Sequence, residues 1–233
     1  MSFKRYSVAE IGSVTIYKNR RSKSIRISVT SDNKVRVSMP VWLPYVAGIN
    51  YVKNNYQWIE NHLSKGDISI RDGQTVGKYQ TIRFIKSHFV KSTRVTNAIN
   101  EITVEYSDTL AIDSETVQNV AKKTIKNALK IQTANLIKKR LDELSIKHNL
   151  AYNGFSVKEL KSRWGSCNSK HQLVINLYLI QLPWNIIDYV LLHELAHTKV
   201  MSHGNDFWKL LLSFEPNAKD YKKQLKKYSP KIY

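Results

Sequence analysis

A chain of 233 residues with 42% hydrophobic and 24% charged residues suits one large or two small domains and excludes wholesale disorder. Lysine and arginine outnumber aspartate and glutamate by 37 to 18, and the net charge of +19 favours either contact with polyanions or a solvated basic surface. The only cysteine, Cys167, excludes an internal disulfide, and no apolar run approaches membrane-spanning length, so we expect a soluble, cytoplasmic protein without a membrane partner.

The first part of the chain is predicted to be β-rich. Apolar residues alternate with polar or basic ones over 14–16, 25–29 and 35–39, as in strands with one buried face, and Asp32-Asn33 is predicted as a hairpin turn between two of these runs. A helix is predicted after Pro44, and further strands follow over 81–85 and 102–104. Residues 1–112 are therefore predicted to form a β-rich N-terminal domain with one helix.

The pattern changes at Asp113-Ser114, where apolar residues begin to recur with helical spacing. This spacing predicts a long helix that starts there and ends near Asn149. Two strands are predicted after it: one over 156–160, or continuing towards Trp164, and one over 173–180. The lysine-rich segment 219–231 is predicted to be helical. Residues 113–233 are therefore predicted to form a second domain.

The most informative motif is His193-Glu194-Leu195-Ala196-His197, within a helix predicted to start after Pro183. The spacing places two imidazoles one helical turn apart on one face, with Glu194 beside them. Such a pair binds one zinc ion, and the glutamate takes a proton from the water that the zinc activates. Because two histidines and a glutamate are costly to bury in an apolar run without a partner, we expect a metal site here.

A third protein ligand would leave the fourth zinc position open, which distinguishes a catalytic site from a structural one. His203 lies six residues after His197 at the metzincin spacing, although Val200 occupies the glycine position of that motif. A continuous helix would carry His203 away from the other two histidines, so the helix must end within 199–202. Glu215 is the alternative ligand, and on geometry we favour His203.

Other residues around this motif also form a pattern. They are Arg163-Trp164-Gly165-Ser166-Cys167, Asn176, Pro183, Asp188-Tyr189-Val190 and Phe207-Trp208. Together with the histidine motif and His203 they resemble the YgjP-like metallopeptidase family, which is related to the SprT-like zinc proteases. The match is dense in the C-terminal half and looser in the N-terminal half.

This resemblance implies an α+β fold in which the second domain is a minimal zincin. Such a domain has a long helix, a small antiparallel sheet, the H-E-x-x-H helix and further C-terminal helices. The resemblance also implies that His193, His197 and His203 bind one zinc ion and that Glu194 is the general base. The motif and the resemblance together predict a zinc metallopeptidase that acts on a peptide or protein substrate.

Residues for substrate binding are predicted just before the zinc helix. An extended peptide can add to an exposed edge strand near the metal, and the strand ending near Arg163 and Trp164 is the candidate, with Gly165 allowing another backbone to approach. The alternative is that Trp164 belongs to the core and Gly165 to a turn. Tyr178, His171 and Arg163 are candidates for stabilising the oxyanion, although none has spacing evidence and each is more often structural.

Two other functions are compatible with the sequence. The same metal site on a basic protein can hydrolyse a nucleotide phosphoanhydride, as a nucleoside triphosphate pyrophosphatase does, with lysine and arginine holding the phosphates. The other is a nucleic-acid-binding module with a structural zinc. Its surface would comprise Tyr17, Lys18, Arg20, Arg21, Lys23, Arg26 and Arg36. The presence of Glu194 argues against that module, because a structural metal needs no base.

Overall fold

The protein folds as two compact units, Met1–Ile68 and Ser69–Tyr233, and each combines sheet with helix. The computed structural model describes residues 2–9, 11–30, 34–63 and 69–232, with the backbone alone at 2 and 61–63. The predicted α+β class is confirmed. The hairpin turn predicted at Asp32-Asn33 lies outside the described residues.

The first unit is a four-stranded sheet with two helices. Its elements are β1 (Ser2–Val8), β2 (Gly12–Asn19), β3 (Arg26–Val29), β4 (Val35–Pro40), α1 (Tyr45–Asn54) and α2 (Tyr56–Leu63). The strand order is β1-β2-β4-β3, in which only β2 and β4 are parallel. One sheet face and the helices together bury an apolar core of Val8, Val14, Ile16, Val35, Val37, Met39, Val52 and Ile59.

The helical segment of this unit is divided at Asn55. The backbone there has φ −112° and ψ 25°, which is outside the α-helical region, so α1 ends at Asn54. The Asn55 side chain donates a hydrogen bond to the carbonyl of Tyr51 at 2.8 Å, and such local bonding by asparagine competes with helix continuation. The structure therefore has two short helices where the sequence predicts one.

The second unit begins with a sheet of the same topology. Its strands are β5 (Thr75–Val76), β6 (Gln80–Ser87), β7 (Arg94–Asn97) and β8 (Glu101–Ser107). Their order is β5-β6-β8-β7, and again only the central pair is parallel. The predicted long helix follows as a helical rod of α3 (Glu115–Gln132), a π-helical turn (Thr133–Ile137) and α4 (Lys138–His148).

The remaining elements carry the candidate site. They are β9 (Gly154–Lys158), β10 (Gly165–Cys167), β11 (Gln172–Asn176), a 3₁₀ helix (Leu177–Gln181), α5 (Trp184–Ala196), α6 (Asn205–Phe214) and α7 (Ala218–Leu225). Helix α5 is apolar on most sides and lies in the core of the unit, in contact with α4, α6, α7 and β10. No helix in the described ranges is both long enough and apolar enough to cross a membrane.

The small sheet beside α5 contains both parallel and antiparallel strand pairs, whereas the family resemblance of the sequence implied an antiparallel sheet. Its strand order is β10-β11-β9, and β10 and β11 are antiparallel, but β9 and β11 are parallel. The chain reverses direction between β9 and β10 and again between β10 and β11. Two reversals return it to the direction of β9, which explains the parallel pair.

Strand β11 ends at Asn176, and the strand predicted over 173–180 is therefore shorter than expected. The buried Asn176 accepts a hydrogen bond from the Tyr178 N–H at 3.2 Å. Its Nδ2 donates to the carbonyls of Leu160 and Arg163, both at 2.8 Å. Asn176 thus starts the 3₁₀ helix and fixes the loop that leads into β10.

The boundary between the two units lies at residue 68 rather than at the predicted residue 112. The sheet β5-β6-β8-β7 shares one apolar core with the helical rod and α5, so it cannot belong to the first unit. The buried Gln118 of α3 reinforces this connection. It accepts a hydrogen bond from the Ile70 N–H at 2.7 Å and donates to the carbonyls of Ile70 and Ile112 at 3.1 and 2.9 Å.

A second buried amide, Gln132, connects the end of α3 to the β5–β6 turn. Its Oε1 accepts the Lys78 N–H at 2.8 Å, and its Nε2 donates to the carbonyl of Val76 and to Gln80 Oε1, both at 3.0 Å. A Cβ on Gly77 would lie 2.1 Å from Gln132 Oε1, so this close approach requires glycine. The hydrogen bonds of the turn therefore depend on one helix side chain.

We expect Gln132→Ala to lower the free energy of unfolding by at least about 2 kcal/mol, because it leaves several buried polar groups without partners. Urea denaturation followed by circular dichroism measures this change. Asn127→Ala is the matched control, since Asn127 is an exposed amide on the same helix and should change stability by less than about 0.5 kcal/mol. Equal stability of the two variants would contradict the structural role of Gln132.

Candidate metal centre

The H-E-x-x-H motif occupies the last turn of α5, as the sequence predicts. Pro183 precedes the helix, and His197 is the C-cap residue that directly follows its end at Ala196. The helix is held against α4 by Asp188, whose two carboxylate oxygens accept hydrogen bonds from Arg140 at 2.8 and 2.7 Å. This two-point contact fixes the rotation of α5 and hence the direction of the motif side chains.

The chain turns sharply after α5 and so brings His203 back towards the motif. The helix ends at Ala196, and the N–H groups of Lys199 and Val200 both bond to the Ala196 carbonyl at 3.0 Å. Helix α6 starts at Asn205, and His203 lies in the short connection between the two helices. The predicted break is present, although the helix ends a few residues earlier than the expected range of 199–202.

The structure brings three of the predicted site residues together. The Nε2 atom of His203 lies 3.0 Å from Nε2 of His193 and 3.2 Å from Nε2 of His197. Among the described residues, these three histidines form the group of metal-ligand type whose ligand atoms all lie within 4.8 Å of one another. Three ring nitrogens therefore converge on one point.

Phe207 of α6 forms the base of this cluster. Its fully buried ring has its centroid 4.9, 4.6 and 4.8 Å from those of His193, His197 and His203. One rigid ring therefore limits the orientation of all three imidazoles. Phe207 was not predicted to have a role in the site. Its position four residues after His203, in the first turn of a helix, is the signal that could have identified it.

The protonation of the cluster favours free lone pairs at its centre. His197 donates its Nδ1–H to the carbonyl of Val200 at 3.0 Å, which leaves Nε2 as an acceptor. Burial and the neighbouring imidazoles lower the pKa of His193 to about 3, and burial also lowers the pKa of His197. Neutral imidazoles with inward lone pairs are the form that binds a metal ion.

Glu194 lies beside the cluster with its side chain almost completely buried, at 6% exposure. Burial raises the pKa of its carboxyl to about 7, while the charge of Arg163 acts in the opposite direction. The carboxylate has no hydrogen-bond partner in the part of the chain that the structure describes. A buried carboxyl group with a raised pKa suits a group that must exchange protons.

Gly165 of β10 is in direct contact with Glu194. A Cβ at this position would lie 2.7 Å from Glu194 Cγ and 2.8 Å from Oε1, so no larger residue fits without moving the carboxylate. The space that the sequence analysis reserved for a substrate backbone is filled by this side chain. Trp164 packs against the core, in keeping with the structural alternative, while Arg163 is exposed and its charge acts on Glu194.

Other candidates lie with different partners. The buried Tyr178 donates its hydroxyl hydrogen bond to Glu159 at 2.8 Å, so the structure gives no support to a role at the oxyanion. His171 lies in the β10–β11 turn with φ +56°. Glu215 follows α6 and accepts a hydrogen bond from the Asn217 N–H at 3.1 Å, and it is not part of the histidine cluster.

The residues present fit a zinc ion. Two nitrogens bound to zinc at 2.0–2.1 Å with a tetrahedral angle lie about 3.3 Å apart, close to the 3.0 and 3.2 Å separations here. Three imidazoles supply three of the four ligands, and the buried Glu194 stands beside them. This donor set matches a zinc site with one open position.

We expect His203→Ala to weaken zinc binding by at least about 100-fold, because even the loss of an outer partner of a ligand costs 10- to 100-fold. Zinc content is measured by mass spectrometry after dialysis against a competing chelator. Glu215→Ala should retain the zinc content of the unmodified chain. Loss of zinc from Glu215→Ala, with retention by His203→Ala, would assign the third ligand to Glu215.

Two solved structures are similar to part of this chain. The chain is similar to the crystal structure of the metallopeptidase zymogen of Pyrococcus abyssi abylysin, with 18% identity, a TM-score of 0.37, and coverage of 42% of this chain and 99% of that one. It is also similar to the crystal structure of the metallopeptidase zymogen of Methanocaldococcus jannaschii jannalysin, with 23% identity, a TM-score of 0.36, and coverage of 39% of this chain and 94% of that one. No curated protein matches the sequence.

The family comparison covers far more of the chain. The model of the YgjP-like metallopeptidase domain matches residues 23–228, which extend from the first unit to the end of α7. The matched span includes the three clustered histidines, Glu194 and Gly165. This agrees with the family resemblance of the motif residues, and the chain belongs to the YgjP-like metallopeptidase family.

Proposed function

We propose that this protein is a zinc-dependent peptidase in which His193, His197 and His203 hold the metal and Glu194 is the general base. The observation that supports the proposal most directly is that three imidazole nitrogens converge beside the buried carboxylate of Glu194. Among the described residues, this carboxylate has no hydrogen-bond partner. Membership of a metallopeptidase family supports the hydrolysis of peptide bonds. The same membership favours a peptide or protein over a nucleotide as the substrate.

The chain prepares the site before any metal binds. Phe207 fixes the three imidazole rings, and the Val200 carbonyl keeps the Nε2 lone pair of His197 directed inward. A bound zinc ion supplies a Lewis acid that polarises the scissile carbonyl and lowers the pKa of water to about 7. Because the rings are already oriented, little rearrangement accompanies metal binding.

Glu194 moves the proton in the reaction. Its carboxylate accepts one proton from the attacking water as the water oxygen bonds to the carbonyl carbon of the peptide. It then delivers that proton to the amide nitrogen as the carbon–nitrogen bond breaks. One water molecule is consumed, and the products are a carboxylic acid and an amine, which then exchange the remaining water proton to become a carboxylate and an ammonium group. The raised pKa of Glu194 suits both transfers, since the same group must accept and release a proton.

Strand β10 is the proposed support for the substrate. It lies at the edge of the sheet β10-β11-β9, where β11 is its one neighbour among the described strands. An extended peptide can pair with the other edge by β-addition, which requires no particular side chain from the substrate. Gly165 in this strand touches Glu194, so a peptide paired there would pass beside the general base.

Arg163 is proposed to contact the substrate from the loop before β10. The backbone of this loop is held by the hydrogen bond from Asn176 to the Arg163 carbonyl, while the guanidinium group is exposed. Its charge acts to lower the pKa of Glu194, against the larger effect of burial, and this supports an electrostatic role at the site. A fixed cation at this position would stabilise negative charge that develops on the substrate carbonyl.

We expect Glu194→Gln to lower kcat/KM for peptide hydrolysis by about 10²- to 10⁴-fold, because glutamine cannot accept the proton, while zinc content stays unchanged. The measurement uses a quenched fluorescent peptide library and an unfolded protein substrate. Glu215→Gln is the matched control and should keep full activity. Cleavage by Glu194→Gln at the rate of the unmodified chain would contradict the role of Glu194 as general base.

The same preparations distinguish the nucleotide alternative. Nucleoside triphosphates are incubated with the unmodified chain and with His193→Ala, and the release of phosphate or pyrophosphate is measured. Release by the unmodified chain alone, together with no cleavage of any peptide, would identify the protein as a phosphoanhydride hydrolase rather than a peptidase.

A second prediction tests the contact between the base and the edge strand. Gly165→Ala should reduce kcat/KM at least about tenfold without loss of zinc, because the added methyl group displaces the Glu194 carboxylate. Gly154→Ala in the same sheet is the control, since its Cβ would meet only Gln172 atoms at 3.5 Å, an ordinary contact. A fully active Gly165→Ala enzyme would show that Glu194 need not occupy the observed position.

A further inference from the structure

One face of the sheet in the first unit remains open to solvent. The register pairs residues across all four strands in rows, and alternate rows face opposite sides of the sheet. Two neighbouring rows belong to the face opposite the core. One row consists of Phe3, Tyr17, Ser38 and Arg26. The next consists of Arg5, Thr15, Arg36 and Ser28.

The open face carries aromatic rings that the core does not use. Phe3 is 54% exposed, and its ring centroid lies 5.6 Å from that of Tyr17 on the adjacent strand. The guanidinium of Arg36 lies 5.9 Å from the centroid of the Tyr17 ring. The apolar core of the unit is complete on the other face, which α1 and α2 cover. Neither ring belongs to that core, and because Phe3 is exposed and Tyr17 half-buried, both keep surface available for contact.

The charge of the open face has one sign. Its three charged residues are Arg5, Arg26 and Arg36, all exposed, and none of them is paired with a carboxylate within the described ranges. The 68 residues of the unit contain eleven lysines and arginines and only four aspartates and glutamates. The remaining positions of the two rows are serine or threonine. The face thus combines stacking surfaces, fixed cations and small hydrogen-bonding groups.

We propose that this open face binds single-stranded nucleic acid. Bases would stack on Phe3 and Tyr17, while the phosphates contact Arg5, Arg26 and Arg36. Base–aromatic stacking with basic side chains along the backbone path is how sheet surfaces bind single strands without strong sequence preference. A duplex keeps its bases stacked inside, so it could use the arginines but not the rings. Exposed rings therefore favour a single strand over a duplex.

The structure changes the set of residues that the sequence suggested for nucleic acid. Lys18 belongs to the opposite side of β2, where its ammonium group lies over the Tyr45 ring at 4.6 Å and donates to the Val41 carbonyl at 3.2 Å. Phe3 and Arg5 replace it, because β1 pairs with β2 and brings them beside Tyr17. Tyr17, Arg26 and Arg36 stay in the set.

Fluorescence anisotropy with 5′-labelled dT20 and rU20 tests the proposal on the full chain carrying Glu194→Gln, so that the outcome does not depend on peptidase activity. Binding of either strand should exceed binding of a duplex of the same length. Phe3→Ala/Tyr17→Ala should weaken binding at least about tenfold. Tyr17→Phe should retain it, because the ring remains. Circular dichroism checks that each variant is folded.

Charge-matched variants separate this face from the general basic surface. Arg5→Gln/Arg36→Gln should lower the slope of log Kd against log salt by about 1.4, since each lost phosphate contact on a single strand contributes about 0.7. Lys123→Gln/Lys130→Gln, on exposed positions of α3, removes the same charge and should leave the slope nearly unchanged.

Three results would overturn the proposal. One is full binding by folded Phe3→Ala/Tyr17→Ala. Another is an equal loss of affinity in the α3 lysine variant and the arginine variant. The third is displacement of the probe by poly-glutamate as effectively as by unlabelled dT20, which would identify a surface for polyanions in general.

Discussion

The second unit buries polar groups within an apolar helix, and the rest of its structure depends on this constraint. Helix α5 lies in the core, yet its last turn carries two imidazoles and a carboxylate, which are costly to bury. The surroundings reduce that cost in specific ways. Val200 accepts the His197 N–H, Phe207 packs against all three rings, and burial keeps His193 neutral. These contacts leave the lone pairs on the three converging Nε2 atoms without a hydrogen-bond donor. A single cation would interact with all three.

Much of the fold follows from periodicity, but its long-range connections do not. The alternating strands, the helical rod and α5 were predictable because one-sided burial leaves a period of two or about 3.6 residues. The unit boundary was not predictable, because it depends on which helices the sheet β5-β6-β8-β7 packs against. Gln118 and Gln132, the amides that reinforce this packing, look like ordinary polar helix residues in the sequence. Asn176 has a similar effect, since a single side chain ends a strand within an otherwise continuous apolar run.

The site shows the same division between local and long-range information. Spacing alone places His193 and His197 on one face, and helix geometry requires a break before His203, which the structure contains. The position of Gly165 against Glu194 joins a strand to a helix about thirty residues later, and no local pattern encodes such a contact. The hydrogen bond from Tyr178 to Glu159 is long-range in the same way, because Glu159 belongs to a separate loop.

Net charge indicates less about function than the arrangement of the charges does. Residues 69–233 hold 26 lysines and arginines against 14 aspartates and glutamates, so both units are basic and the total of +19 singles out neither. In the larger unit many of the acidic groups form ion pairs, such as Arg140 with Asp188 and Lys126 with Glu159. On the open face of the first unit, three arginines stand beside the exposed Phe3 ring and the half-buried Tyr17 ring, without an acidic partner among the described residues. A basic surface that serves only solubility has no need of exposed aromatic rings, since these add apolar area to water. The rings therefore make recognition of a ligand, rather than solvation, the physical explanation for that face.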